Sequence, residues 1–279
     1  MLGASLLSAL NGAIAKMLAP ELAALEIVFF RNFIGVLLIL ITLKHTPTTI
    51  DKDNLHMLLL RGIFGFTAMF LFFYTITTLP LGDAITLNKT SPIFITILAF
   101  FILKEKLSIL QISAVILGFL GVILVTKPAN LDFNSSYILG VAGGFFAAAA
   151  YVTIGKIKHI YDSRVIVLAF MGMGTVAPAL LFLLAPYIES DMIKEFVMPS
   201  NQAWVLIIFI GFTATLSQWF LTKGYSSPNP TLIGTISYSI IPFSIFFGVL
   251  LGDDLPTSLT IVGTVLIVLA GILAKKGVR

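Results

Sequence analysis

Gly65-Phe66-Thr67-Ala68 opens an apolar run that reaches Pro92 and then Glu105-Lys106-Leu107-Ser108. Gly211-Phe212-Thr213-Ala214 opens a second run that reaches Pro242 and then Asp254-Leu255-Pro256-Thr257. Each closes with a glycine-dotted apolar stretch, the first ending near Lys127 and the second at Lys275-Lys276, so the chain repeats itself. The turn inside the first copy carries Lys104 and Lys106, whereas its match carries Asp253 and Asp254 and no base. Lys and Arg collect on the cytoplasmic side of a membrane. Matching turns of opposite charge therefore imply two copies inserted upside down relative to each other, a common build of secondary transporters.

Working outward, the composition is that of a membrane protein. Of 279 residues 58% are hydrophobic and 11% charged, with a mean hydropathy of +1.05, against roughly 25% charged residues in a soluble domain. Breaking the apolar runs at Gly, Pro and charge gives ten spans: 2–18, 22–43, 55–78, 81–103, 108–126, 137–156, 164–186, 202–224, 229–251 and 257–274. A porin-like barrel would need short alternating strands, but these runs are continuous and rich in Leu, Ile and Phe. The expected fold is all-α, with ten transmembrane helices in two inverted five-helix repeats, residues 1–130 and 131–279, dividing near Asp132-Phe133-Asn134.

With the N-terminus inside, Lys44, Lys52, Arg61, Lys104, Lys106, Lys156, Lys158, Arg164, Lys223, Lys275, Lys276 and Arg279 fall at the cytoplasmic face. Only Lys16, Lys127 and Lys194 fall outside, while Arg31 and Lys89 lie within spans. This bias predicts an inner-membrane protein with both termini cytoplasmic. Its net charge of +4 is accounted for by membrane-flanking bases, so no nucleic-acid partner is expected. Ala13-Ile14-Ala15 has the form of a signal-peptidase site, but no base precedes the run and Ala9 to Lys16 matches Ala149 to Lys156, which predicts a retained helix.

The ordered set Pro92, Glu105-Lys106-Leu107-Ser108, Gln111 and Gly121, repeated as Pro242, Asp254-Leu255-Pro256, Gly263 and Gly271, resembles the drug/metabolite transporter superfamily, specifically its EamA-type carriers. Leu25-Glu26-Ile27-Val28-Phe29-Phe30-Arg31 is similar to the second span of those carriers, which commonly place an arginine there. The resemblance implies a ten-helix carrier with a central cavity between two bundles, moving small metabolites by alternating access. Asp254 in place of the usual glutamate, and Ala114 where the second copy has Gly263, depart from the pattern. Leu25 to Asn32 with Leu60-Arg61-Gly62 looks most like a bacterial branch that includes S-adenosylmethionine carriers.

Charges inside spans are the candidate site. An arginine at bilayer centre costs at least about 2.5 kcal/mol on the insertion scale, so Arg31 must face the bundle or water. It is either a clamp on backbone carbonyls or an anchor for a substrate carboxylate or phosphate. Glu26 lies about 140° around the helix from Arg31 and does not pair with it; near the outer end, it reads as solvated. Lys89, beside Asn88 and Thr90, reads as cavity-lining, with snorkelling as the alternative. Asp83 reads as a helix cap after Pro80-Leu81-Gly82. Lys16 and Lys156 read as matched snorkelling anchors.

In the second half Thr231, Thr235 and Tyr238 fall on one helical face, and Tyr238 aligns with Asn88 when Pro92 and Pro242 are superposed. Gln218 and Trp219 lie deeper than the interfacial belt that tryptophan usually occupies. Arg31, Lys89, Asn88, Gln218, Trp219, Thr235 and Tyr238 are thus the expected lining of one cavity, with Pro92 and Pro242 as hinges. Cations without a mid-depth acid favour an anionic or zwitterionic substrate: an amino acid, a derivative of one, or a nucleoside-like metabolite.

No G-x-x-x-x-G-K-[ST], H-E-x-x-H or G-x-S-x-G pattern occurs, and there is no cysteine. An enzyme, a metal site and a cofactor are therefore not expected, and no potassium-channel-like filter sequence is present. The expected partners are a small-molecule substrate and membrane lipids, with the protein a monomer or homodimer. The remaining classes are a non-transporting membrane subunit and a membrane-embedded enzyme.

Overall fold

A computed structural model describes residues 2–46, 48, 51–103, 108–126, 134–188, 190, 192–225 and 237–276. Thr231, Thr235, Lys104 to Leu107, Lys127, Asp132, Glu189, Asp191 and Arg279 lie outside the described residues. Eleven helices follow one another among those described: α1 (Leu2–Leu18), α2 (Ala24–His45), α3 (Leu55–Thr78), α4 (Leu81–Asn88), α5 (Ser91–Leu103), α6 (Ile109–Thr126), α7 (Ser136–Ile157), α8 (Ser163–Leu184), α9 (Asn201–Tyr225), α10 (Ile240–Leu250) and α11 (Ser258–Lys276). No strand occurs among them. Among the described residues five helices are long and apolar enough to cross a membrane, within Ala24–His45, Leu55–Thr78, Ser136–Ile157, Ser163–Tyr187 and Asn201–Leu221; shorter apolar helices accompany them. In hydrocarbon every backbone N–H and C=O must be satisfied within the protein, and a continuous helix does this.

The region read as one span over 81–103 is two helices. Proline lacks the N–H that would bond the carbonyl four residues back, and its ring clashes with that carbonyl. Here the helix ends at Asn88, and Pro92 occupies the first turn of α5, where its missing N–H costs nothing. The break is closed locally: Lys89 N–H donates to Ile85 O at 3.0 Å, Thr90 N–H to Leu87 O at 3.0 Å, and Thr90 Oγ1 to Leu87 O at 2.7 Å. Pro242 likewise sits in the first turn of α10, after a 3-10 turn over Ser237–Ser239.

The helix pairings have an internal regularity. Exchanging α1, α2, α3, α4–α5 and α6 with α7, α8, α9, α10 and α11 maps the pair α2–α8 onto itself, and likewise α4–α10 and α6–α11. The same exchange turns α1–α9 into α3–α7, α2–α9 into α3–α8, and α1–α10 into the packing of α4 and α5 on α7, all of which are present. Helices α6 and α11 approach tightly at Gly121 and Gly263: a Cβ on either would lie 2.7 Å from the other's carbonyl oxygen. Small residues let helix backbones approach where lipid supplies no hydrophobic drive for association.

Polar groups tie the halves together where α1 ends and α2 begins. Lys16 Nζ pairs with Asp253 Oδ1, and Leu81 N–H donates to Asp253 Oδ2 at 2.9 Å. Lys16 is thus ion-paired rather than a plain snorkelling anchor. Lys156, its sequence match, is exposed and has no ion pair among the described residues. Glu26 is not solvated but 1% exposed, accepting from Val197 N–H at 2.5 Å and Ala23 N–H at 2.8 Å. Glu21 accepts from Ser200 N–H and Oγ–H. Asp83 is not the helix cap, which is Pro80; it is buried in the first turn and accepts from Tyr137 Oη–H at 3.2 Å. At the opposite end Arg164 donates to Thr42 O and Thr46 O, and Tyr161 Oη–H to Asp51 O at 2.6 Å.

Candidate binding cavity

A cavity of about 140 Å³ lies between the two halves, lined from α1, α2, α3, α4 and from α7, α8, α9, α10. Its polar atoms come from Ser8, Asn11, Arg31, Arg61, Asn88, Lys89, Tyr151, Ser217 and Gln218, and its aromatic wall from Phe72, Phe73 and Phe170. Among the described residues no Asp or Glu contributes to the lining.

Arg31 is the eighth residue of α2, about 10 Å along that helix at 1.5 Å per residue. It is 5% exposed. Its Nε donates to Asn11 Oδ1 at 3.2 Å and its Nη1 to Asn32 Oδ1 at 3.0 Å and Met69 Sδ at 2.7 Å, with its charge 5.6 Å from the Phe73 ring centre. The partners are themselves held: Asn11 Nδ2 donates to Ile210 O at 2.8 Å and Thr213 Oγ1 at 3.2 Å, and Asn32 Nδ2 to Val28 O at 2.6 Å. A relay of neutral groups thus runs from α9 through α1 to α2. It orients the guanidinium but does not neutralise it. Ser8 and Ser217 hydroxyls meet at 2.6 Å across the same seam.

Arg61 corrects the sequence reading. It was counted among the bases of the cytoplasmic face, yet it sits seven residues into α3, 6% exposed and lining the cavity. Its guanidinium carbon stands 4.5 Å from the centre of the Phe170 ring. Nη1 lies against Gly65, where a Cβ would overlap it. The first glycine of the repeated Gly-Phe-Thr-Ala motif is therefore the floor beneath a buried cation.

Of the residues singled out from sequence, Arg31, Asn88, Lys89 and Gln218 meet at this cavity. Trp219 does not: it is 39% exposed on the outer side of α9, beside Phe220. Tyr238 does not line it either. It is 5% exposed, and its hydroxyl lies against α11, where a Cβ on Gly271 would overlap it. Thr235 is outside the described residues. The sequence reading missed Asn11, Arg61, Ser8, Ser217, Tyr151 and Phe170. The available signal was the intramembrane polarity of Asn11 and Arg61, a default marker of function.

Comparison with known proteins agrees with this architecture. The family model described as EamA-like transporter family matches residues 1–127 and 134–274. The chain is 32% identical over 279 residues to the pseudopaline exporter CntI of Pseudomonas aeruginosa, covering 98% of this chain and 95% of that one. It is 25% identical over 262 residues to an S-adenosylmethionine uptake transporter of Rickettsia felis, covering 94% and 86%. A solved crystal structure superposes with a TM-score of 0.66 at 17% sequence identity, covering 99% of this chain and 95% of that chain.

Proposed function

Because this chain belongs to the EamA-like transporter family, making it a multi-pass membrane protein and a small-molecule transporter, we propose that it is a secondary carrier of small organic metabolites, exporter or exchanger, working by alternating access across the inner membrane. The observation that carries the reading is the cavity itself. It lies between the halves, holds Arg31, Arg61 and Lys89 and has no lining carboxylate among the described residues. Burying a cation in hydrocarbon is unfavourable, whereas a wet cavity facing a charged solute satisfies it. Ten spans in two inverted repeats, with both termini cytoplasmic, complete the proposal. The paired helix contacts and the basic flanks support this arrangement. Amino acids and their derivatives suit the cations, and S-adenosylmethionine or nucleoside-like metabolites suit the aromatic wall.

The named relatives include an exporter and an uptake transporter, so the suitable assay is one indifferent to direction. Proteoliposomes preloaded with unlabelled metabolite should accumulate the same labelled metabolite by counterflow, several-fold above protein-free vesicles. Absence of counterflow across amino acids, their derivatives and nucleosides, together with lipid modification or scrambling, would remove the carrier reading.

Arg31→Gln should reduce counterflow more than tenfold while accumulation in the membrane stays near wild type, because loss of a charge-assisted contact is worth roughly 1.5–3 kcal/mol. Accumulation that collapses, with normal transport per inserted molecule, would instead identify Arg31 as a clamp on Asn11 and Met69.

A further inference from the structure

Arg31 and Arg61 line the same cavity but are held very differently. Arg31 spends its donors on Asn11, Asn32 and Met69. Arg61 has no hydrogen bond or ion pair among the described residues, and its buried Nε is without an acceptor. A buried, unpaired charge is costly unless something of opposite sign completes it. The site is nonetheless built to hold this head in place: Phe170 stacks on it and Gly65 leaves room beneath Nη1. Guanidinium carries a planar fork of donors that matches a carboxylate.

The two heads also have a spacing. The Arg61 guanidinium lies at the level of Gly65, and that of Arg31 reaches Met69. Four residues along α3 correspond to about 6 Å. Lys89 adds a third cation to the same lining, which includes no Asp or Glu among the described residues.

Resting on the carrier reading of this cavity, we propose that Arg61 is its principal anion anchor, and that the substrate is a small organic anion with at least two carboxylates a few bonds apart. One carboxylate takes the fork of Arg61 over Phe170. The other lies toward Arg31, one helical turn away, with Lys89 in the same lining. The neutral relay through Asn11 keeps Arg31 pointed at the cavity without quenching its charge.

The test reads binding on the purified wild-type protein in detergent. Phenylglyoxal modifies accessible arginines, and peptide mass spectrometry follows Arg61 individually. Glutarate and tricarballylate, at millimolar concentration and constant ionic strength, should slow Arg61 modification at least fivefold. Butyrate and pentane-1,5-diamine should slow it less than twofold. Arg61→Gln should weaken glutarate binding, measured by thermal shift, by about 10- to 100-fold, with Arg61→Lys in between because it keeps the charge and loses the fork. Should Arg61→Gln fail to accumulate, protection of the wild-type arginine still decides. Equal protection by butyrate, protection by neither polycarboxylate, or no modification of Arg61 at all would overturn the proposal. If protection fails while counterflow of another metabolite succeeds, only this inference falls; if protection holds and counterflow fails, the anion site stands and the carrier reading falls.

Discussion

Gly263→Val is expected to bring accumulation of folded protein below about a tenth of wild type, read as monodisperse protein after detergent extraction. A Cβ at this position would lie 2.7 Å from Gly121 O, 2.8 Å from Val125 Cγ2 and 3.0 Å from Leu124 Cβ. The first of these atoms is backbone and cannot rotate away, so α6 and α11 must separate. Separation is expensive here, because membrane helices associate through packing contacts rather than through exclusion from water. Overpacking alone costs about 1–3 kcal/mol, and valine adds two methyl groups to a Cβ that already does not fit. Gly121→Val should behave alike, since its Cβ would meet Gly263 O at 2.7 Å and Ile267 N at 3.0 Å. Gly172→Ala in α8 is the control: nothing lies within 4 Å of its Cβ, and removing a helical glycine is neutral or stabilising. Normal accumulation of Gly263→Val would show that α6 and α11 do not pack in this way.

Helix positions were legible from sequence because a helix able to cross hydrocarbon leaves a continuous apolar run. The expected 2–18 and 55–78 coincide with α1 and α3, and most other ends differ by one or two residues. What was not legible follows from where hydropathy is blind. Asn88-Lys89-Thr90 interrupts an apolar run too briefly to register, so one bent helix was expected where α4 stops and α5 starts. Tyr238 was projected onto a face by assuming an unbroken 100° step, but Ser237–Ser239 is a 3-10 turn, whose steps are wider. Gln218 and Trp219 were both placed on the cavity, although neighbours on a helix point about 100° apart; the structure turns Gln218 inward and Trp219 outward. Arg61 was miscounted because a base near the start of a span looks like a membrane flank. Only tertiary packing, with Phe170 and Gly65 around its head, reveals a buried cation.

The central claim is that solute passes through the cavity because the two halves part alternately at its two ends. At the end where α1 finishes, the halves are latched by Lys16, Asp253 and the N–H of Leu81. Beside this latch, Leu81 at the start of α4 faces Gly248 of α10, and a Cβ on Gly248 would lie 3.3 Å from Leu81 Cβ. That separation is close to the Cβ–Cβ distance of about 3.5–4.5 Å in disulfides. The native chain has no cysteine, so a Leu81→Cys/Gly248→Cys double variant offers one pair only. Its bond would join the halves covalently and leave Arg31, Arg61 and Lys89 in place. Because a Cβ at Gly248 would also lie 2.6 Å from Asp253 Oδ2 and shift the latch, the reduced form of the same variant is the reference. The decisive measurement is counterflow by this variant in proteoliposomes, oxidised and then reduced. Alternating access predicts uptake at the protein-free level when oxidised and full recovery on adding dithiothreitol. Equal counterflow in the oxidised and reduced states, with the disulfide verified by mass spectrometry, would contradict it.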